Sequence, residues 1–166
     1  MNPIVTRKDL AKLAEGICCE LGVCKGEYSE AILQGSNCEL LYSIDRWAGD
    51  RGHNNKQYMQ AMSRLHPYGG RNMVLRMSFE EACEQFPNGF FDFIYIDGYA
   101  HTGQDGGKTL EQWWPLLKSG GIFGGHDYCS RWAATMRVVD SFVSRRELKL
   151  HTTQKDRYPS WFVFKP

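Results

Sequence analysis

One short segment constrains the fold of this chain more than any other. Residues 90–96 read FFDFIYI, so a single acid interrupts an otherwise apolar run. A nearly continuous apolar run of this length is typical of a central strand in a parallel sheet, where both faces of the strand are covered. Asp97 follows directly. The segment therefore predicts a buried strand with a carboxylate at its carboxyl end.

Strand-like and helix-like runs alternate along the whole chain, which is the pattern of βαβ units and a parallel sheet. The two β-rich runs near the end of the chain predict an antiparallel pair. Ser78 with Glu81 three residues later predicts a capping box at the start of a helix. The predicted strands are residues 16–23, 39–45, 72–77, 90–97, 121–127, 147–153 and 160–166. The predicted helices are residues 6–15, 26–35, 56–65, 78–86, 105–118 and 131–147. The predicted class is α/β, with a Rossmann-like doubly wound sheet.

Size and charge limit the range of functions. The 166 residues predict one domain over residues 1–166, and 20 basic against 19 acidic side chains give no excess charge for binding a polyanion. No apolar stretch is long enough to span a membrane, and residues 1–10 have no apolar leader. The six cysteines form no C-x-x-C pair. We therefore expect a soluble cytoplasmic protein with reduced cysteines, and nothing here indicates a nucleic-acid or membrane partner.

The end of the first predicted strand carries glycines and acids. Gly22 and Gly26 would let the backbone pass close to a ligand, although an ordinary tight turn is an equal alternative. A dinucleotide fingerprint starting at Gly22 would need glycine at positions 24 and 27, where this chain has Cys24 and Glu27. The acids Glu20 and Glu27 disfavour a pyrophosphate but tolerate a cofactor with an ammonium and a sulfonium group.

The end of the second predicted strand indicates a nucleoside site. Asp45 follows Gly22 by 23 residues, the spacing at which a carboxylate accepts both ribose hydroxyls. The alternative is a turn-forming Asp. Trp47 is available to cover the sugar or the ring, and Ser78 and Phe79 are placed to meet an adenine. A capping Ser and a core Phe are the alternatives for that pair.

Two carboxylates and two imidazoles follow the fourth and fifth predicted strands. They belong to Asp97, His101, His126 and Asp127. This set would bind a divalent cation through the two carboxylates, or supply a general base through a histidine. The alternative is a turn residue, a surface histidine and a helix cap.

Several of these motifs resemble a known family. ELGVCKG resembles the first motif of class I methyltransferases, with Cys24 where the middle glycine usually stands, and Asp45 resembles that class's ribose-binding acid. FDFIYIDGYAHTG, LLKSGGIFGGHDY and YPSWFVFKP resemble the type 24 methyltransferases, which are similar to macrocin-type and catechol-type O-methyltransferases. The resemblance covers residues 15–166. It implies a seven-stranded sheet in the order 3-2-1-4-5-7-6, with the last strand antiparallel, and S-adenosylmethionine as the cofactor.

The resemblance also implies roles for individual residues. The catechol-type relatives hold Mg²⁺ through acids that match Asp97 and Asp127, but their third ligand is usually Asn or Asp where this chain has Tyr128. The macrocin-like relatives place a candidate base that matches His101, and His126 competes for that role. We assign the cofactor to Glu20, Gly22, Val23, Gly26, Asp45, Arg46, Trp47, Ser78 and Phe79.

The predicted function is O-methylation of a hydroxyl on a sugar, a phenol or another metabolite. The alternatives are a nicotinamide-dependent oxidoreductase and a non-catalytic module that binds the cofactor. The chain has no long inserted lid over its predicted pocket. Either the pocket is open or a homodimer covers it.

Overall fold

The computed structural model describes residues 4–49, 53–98, 103 and 105–166. The described residues form seven strands, which are β1 (Glu15–Leu21), β2 (Asn37–Asp45), β3 (Asn72–Arg76), β4 (Phe91–Ile96), β5 (Leu117–Gly125), β6 (His151–Thr152) and β7 (Trp161–Phe164). They make one sheet in the order β3-β2-β1-β4-β5-β7-β6, and β7 runs antiparallel to both of its neighbours. The predicted α/β class, strand order and antiparallel last strand are therefore confirmed.

Helices cover both faces of this sheet. They are α1 (Arg7–Ala11), α2 (Glu27–Gly35), α3 (Asn55–Leu65), α4 (Phe79–Cys83), α5 (Lys108–Trp113) and α6 (Ala133–Arg145). Side chains of α1, α2 and α3 belong to one apolar cluster and side chains of α4, α5 and α6 belong to another. The sheet is thus the middle layer of three.

Strand β4 contributes to both apolar clusters, as its sequence predicted. Phe93 and Tyr95 lie in the cluster on the α1–α3 side, whereas Ile94 and Ile96 lie in the cluster on the opposite face. Successive side chains of a strand point to opposite faces, so apolar residues at every position bury both sides of the strand. The prediction of a central strand covered on both faces is confirmed.

The region between α5 and β5 differs from the prediction of one helix over residues 105–118. The α-helix ends at Trp113, a 3₁₀ turn covers Trp114–Leu116, and β5 begins at Leu117. Pro115 lies in the turn and has no backbone N–H to continue the α-helical pattern, so the chain leaves the helix there. The strand therefore begins earlier than predicted.

Local signals at other boundaries agree with the structure. Ser78 and Glu81 form the predicted capping box of α4. All six cysteines carry free thiols, and Cys18, Cys19 and Cys38 are buried. None of the helices in the described part of the chain is long and apolar enough to cross a membrane.

Candidate functional site

A cleft of about 220 Å³ opens at the carboxyl edge of the sheet. It lies at the ends of β1 and β4, where the strand order reverses, which is the usual ligand position in an open parallel sheet. Its lining includes four residues predicted from the sequence, namely Glu20, Gly22, Val23 and Asp97. The other lining residues are Arg7, Cys24, Lys25, Glu27, Tyr28 and His53.

The register of the sheet brings the predicted strand ends together. Leu21 of β1 is paired with Ile44 of β2 and with Ile96 of β4. Ile96 is in turn paired with Gly125 of β5. The residues at and just beyond these positions therefore lie side by side along one edge. They are Gly22, Asp45, Asp97 and His126.

The turn after β1 depends on glycine at Gly22. Its φ of 93° lies in the left-handed region, and a Cβ there would stand 2.2 Å from the carbonyl oxygen of Asp97. Gly26, with a φ of 78°, begins α2. Cys24, which stands where the family usually has glycine, also has a positive φ, 52°. A non-glycine residue therefore adopts the left-handed conformation in this turn.

Glu20 lies beneath the cleft and is only 1% exposed. Burial raises its pKa to about 8, although Arg7 and the hydroxyl of Ser29, which donates to the carboxylate, act in the opposite direction. Ser29 Oγ is 2.9 Å from Ser43 Oγ, so the buried acid belongs to a hydrogen-bonded group. Glu20 therefore holds its proton more strongly than an exposed glutamate does.

Asp45 is 5% exposed and already accepts several hydrogen bonds. Its Oδ2 accepts from the backbone N–H of Cys24 at 3.0 Å and lies 2.7 Å from Nδ1 of His53, and its Oδ1 accepts from the backbone N–H of Trp47 at 2.9 Å. Burial acts to raise the pKa of Asp45, but these hydrogen bonds outweigh it and the pKa is lowered. The carboxylate therefore joins the ends of β1 and β2.

The next two residues take different positions. Trp47 is 1% exposed, and its indole N–H donates to the carbonyl of Cys24 at 2.7 Å while its ring packs against Tyr58. Its ring is therefore not available to cover a sugar, contrary to the prediction, because it is part of the core beneath the turn. The side chain of Arg46 is exposed.

Ser78 and Phe79 lie beyond β3, as predicted. The hydroxyl of Ser78 accepts from the backbone N–H of Glu81 at 3.2 Å, so it acts as the helix cap. The ring of Phe79 lies against Gly98, where a Cβ would come within 2.4 Å of the ring. The capping alternative is thus present in the structure, and contact of this pair with an adenine stays a prediction.

A second group of charges follows β4 and β5. A guanidinium nitrogen of Arg7 donates to Oδ2 of Asp97. Nδ1 of His126 lies 3.4 Å from Oδ1 of Asp97 and 3.1 Å from Oδ1 of Asp127. Burial acts to lower the pKa of His126, but the two carboxylates outweigh it and raise the pKa to about 9. Three of the four predicted catalytic residues therefore lie together, with Arg7 as an added cation.

The fourth predicted catalytic residue, His101, lies outside the described residues. Among the residues that the structure describes, no group of three or more His, Cys, Asp or Glu side chains is arranged to hold a metal ion. The Mg²⁺ predicted for Asp97 and Asp127 therefore finds no complete ligand set in this part of the chain.

Two buried donors beside the cleft have no hydrogen-bonding partner in the part of the chain that the structure describes. Neither Nε of Arg7 nor the hydroxyl of Tyr28 has a hydrogen-bonding partner among the described residues. Both residues line the cleft, and the guanidinium of Arg7 lies 4.1 Å from the ring centroid of Tyr28. Buried polar groups are normally paired, so these two donors are available to a ligand that brings acceptor atoms into the cleft.

Sequence reasoning missed Arg7, Tyr28 and His53. Arg7 lies in α1, and its distance of 90 residues from Asp97 along the chain gives no local signal. Tyr28 resembles an ordinary core residue of an amphipathic helix. His53 lies in a loop rich in Gly, Asp and Asn, where the one available signal was the presence of an ionisable side chain shortly after Asp45.

Comparison with known proteins identifies the family and supports the fold. A family model described as a methyltransferase domain matches residues 19–128. The crystal structure of an O-methyltransferase from Bacillus cereus in complex with SAH is similar, with a TM-score of 0.72 and 16% identity over 96% of this chain and 79% of that chain. A precorrin-6y C5,15-methyltransferase from Geobacter metallireducens GS-15 gives a TM-score of 0.71 and 12% identity over 100% and 93% of the two chains.

One relative found by sequence comparison is a much longer protein than this chain. The uncharacterized protein y4gI of Sinorhizobium fredii (strain NBRC 101917 / NGR234) is 24% identical over 103 residues, which are 60% of this chain and 11% of that protein. The chain thus spans a small part of that relative's length. The structural likenesses share the fold across different methylation reactions, so the acceptor has to be inferred from the site itself.

Proposed function

Because the chain belongs to the methyltransferase-domain family, we propose that it transfers the methyl group of S-adenosylmethionine to a hydroxyl of a small molecule. The observation that carries this proposal is the cleft at the ends of β1 and β4, whose lining combines acids, cations and two orphaned donors. S-adenosylmethionine carries an ammonium, a sulfonium and a carboxylate, so it needs both signs of charge nearby. A pyrophosphate would meet the acids Glu27 and Asp97 instead.

The orphaned donors fit the amino-acid end of this cofactor. Arg7 Nε–H and the Tyr28 hydroxyl are both donors, and a carboxylate is an acceptor with room for several hydrogen bonds. Hydrogen bonds to a charged acceptor are among the stronger ones. We therefore assign the methionine carboxylate to Arg7 and Tyr28, which leaves the acids of the cleft for the ammonium group.

The ribose of the cofactor is assigned to Asp45. An ionised carboxylate has about four acceptor positions, and three of those of Asp45 are used by Cys24, Trp47 and His53. The two backbone donors belong to the turns, whereas His53 is a side chain that can rotate away. In this proposal the ribose hydroxyls replace His53 on Asp45.

The bound cofactor supplies a methyl group activated by the sulfonium. The protein has to align the acceptor for in-line displacement, exclude water and take up the hydroxyl proton. His126 is the described residue best placed for the proton, since it lies between Asp97 and Asp127. Its raised pKa, about 9, means that it carries a proton at neutral pH and becomes a base as the pH rises. His101 stays a predicted alternative base.

The proposed reaction has no step through Mg²⁺. The carboxylates of Asp97 and Asp127 already face Arg7 and His126, so the described residues at this position do not fit a divalent cation. A hydroxyl is the acceptor proposed, because its proton can pass to His126 when that imidazole is deprotonated.

Calorimetric titration of S-adenosylhomocysteine tests the cofactor assignment. We expect micromolar binding to the wild type, binding at least tenfold weaker to Asp45→Asn, and no comparable binding of NAD, since a lost charge-assisted contact costs about 1.5–3 kcal/mol. Asp92→Asn is the matched control, because Asp92 is bonded to Lys118 at the start of β4 and away from the cleft. Equal affinity in Asp45→Asn would overturn the ribose assignment, and preference for NAD would restore the oxidoreductase alternative.

Transfer of a labelled methyl group tests the activity itself. The acceptor set should contain phenols and sugars together with amines of similar size. Label on hydroxyl acceptors supports the proposal. Tight cofactor binding without transfer to any acceptor would favour the non-catalytic module instead.

A further inference from the structure

The carboxylates that follow β4 and β5 face basic side chains of the protein itself. Arg7 donates to one oxygen of Asp97, and Nδ1 of His126 lies within 3.4 Å of the other oxygen and within 3.1 Å of Asp127. The positive guanidinium of Arg7 therefore already occupies one side of Asp97, and the imidazole of His126 lies between Asp97 and Asp127. A divalent cation placed here would face repulsion from the guanidinium of Arg7 at short range.

Arg7 is held firmly in this position. Its guanidinium lies 4.1 Å from the ring centroid of Tyr28 and 5.0 Å from that of Tyr95, so aromatic faces cover the cation. A further nitrogen–oxygen distance of 4.0 Å joins it to Glu20. Displacing this side chain would forfeit both ring contacts and the ion pair with Asp97.

The backbone around Arg7 is fixed as well. Thr6 caps α1 in a capping box with Asp9. The backbone N–H of Arg7 donates to Asp156 at 2.6 Å, and the carbonyl of Val5 accepts from the backbone N–H of Lys155 at 2.9 Å. The backbone that carries Arg7 is thus fixed by hydrogen bonds, which hold its guanidinium next to Asp97.

The residue that matches the third metal ligand of the catechol-type relatives is bonded to another element in this chain. This residue is Tyr128, and its hydroxyl donates to Asp140 of α6 at 2.6 Å. Mg²⁺ and Ca²⁺ require six or more oxygen ligands, and a phenol bonded to another element supplies none of them.

We infer that Arg7 takes the place of the divalent cation of the catechol-type relatives, so that this site works without a metal. In this scheme one terminal nitrogen of Arg7 neutralises and orients Asp97, while its Nε stays assigned to the methionine carboxylate. The inference rests on the proposed function for its link to methyl transfer. It implies an acceptor that is held by hydrogen bonds to protein groups and needs no pair of neighbouring oxygens to chelate a metal.

Titration with Mn²⁺ alone tests this inference without cofactor or acceptor. Electron paramagnetic resonance measures the concentration of free Mn²⁺ at each step. The set comprises the wild type, Arg7→Met, Arg7→Lys, Arg7→Met with Asp97→Asn, and Asp97→Asn alone. Arg145→Met is the matched control, because Arg145 is an exposed arginine paired with Glu111. Circular dichroism checks that each variant is folded.

We expect Arg7→Met to bind Mn²⁺ at least about tenfold more tightly than the wild type, since a nearby positive charge is removed. Addition of Asp97→Asn should abolish the gain, and Arg7→Lys and Arg145→Met should behave like the wild type. A purely structural role of Arg7 would produce no such gain. Equal Mn²⁺ affinity in folded Arg7→Met and wild type would overturn the inference.

The wild type gives a second and independent test, which holds even if Arg7→Met does not fold. Its weak Mn²⁺ binding should be the same in Asp97→Asn, and loss of a tight wild-type site in that variant would overturn the inference. Failure of the methyltransferase proposal would look different, because it would show as absent binding of S-adenosylhomocysteine with the Mn²⁺ results unchanged.

Discussion

Nδ1 of His53 lies 2.7 Å from Oδ2 of Asp45, so the carboxylate predicted to bind ribose is already paired with an imidazole. The hydrogen bond to Asp45 is the main cause that raises the pKa of His53, to about 10. The pair links the loop before α3 to the end of β2. It therefore contributes to stability as well as occupying the candidate ribose position.

The stability contribution of His53 should depend on pH. A raised pKa means that the contribution is complete below the ordinary histidine pKa of 6.5 and is lost as the pH rises through about 10. We expect His53→Gln to lower the free energy of unfolding relative to the wild type at pH 6, and the difference to shrink by pH 10.5. Urea unfolding at both pH values measures it.

The exposed His66 provides the control for that experiment. His66→Gln should change the free energy of unfolding little at either pH. A deficit in His53→Gln that is the same at pH 6 and at pH 10.5 would contradict the assigned ion pair.

Tyr28→Phe should weaken binding of the cofactor, because it removes a hydrogen bond to the methionine carboxylate. Removing the orphaned hydroxyl should lower the affinity for S-adenosylmethionine about fivefold, the effect of losing a hydrogen bond worth about 1 kcal/mol. Decarboxylated S-adenosylmethionine lacks the acceptor, so its affinity should be the same in wild type and variant. Calorimetry with both ligands measures the difference, and equal losses for the two ligands would disprove the contact.

Gly22→Ala should destabilise the protein by about 3 kcal/mol, since the new Cβ would meet the carbonyl of Asp97 at 2.2 Å in a left-handed backbone. Gly120→Ala separates the two effects, because Gly120 has a φ of 82° but open space where the Cβ would lie. That change should cost about 1 kcal/mol. Urea unfolding measures the free energy of unfolding of both variants. A similar decrease in the two would show that the contact with Asp97 is unimportant.

His126 should titrate near pH 9 when its ring protons are followed by nuclear magnetic resonance. Its carboxylate neighbours outweigh burial, so Asp127→Asn should lower the pKa toward the ordinary 6.5. Because the pKa is raised, the associated stability is complete below pH 6.5 and disappears as the pH passes about 9. Asp140→Asn should leave the titration unchanged, and a wild-type midpoint near 6.5 would refute the charge pairing.

The sheet could be read from the sequence because its signals are local. The apolar run ending at Ile96 identifies a buried strand, and Ser78 with Glu81 marks a helix start. The strand order came from resemblance, because pattern alone does not say which strands are neighbours. The early start of β5 was missed, since its first residues follow the 3₁₀ turn at Pro115 and lack the apolar run of a central strand.

The candidate site was predictable in part for the same reason. Gly22, Asp45 and Asp97 could be placed at one edge because the carboxyl ends of parallel strands meet there, so position along the chain implies position in space. Their contacts with a cofactor stay a prediction. Trp47 was misjudged, since its exposure depends on how Tyr58 and the turn at Cys24 pack around it.

The amino-acid sequence by itself determined the strands, the helix caps and the row of polar residues at the strand ends, because periodicity and turn chemistry act between near neighbours. Only the tertiary structure decided the partners of those residues. It brought Arg7 to Asp97 and His53 to Asp45. Such pairs form where separate elements pack together, and electrostatic attraction between side chains depends on distance in space rather than on distance along the chain.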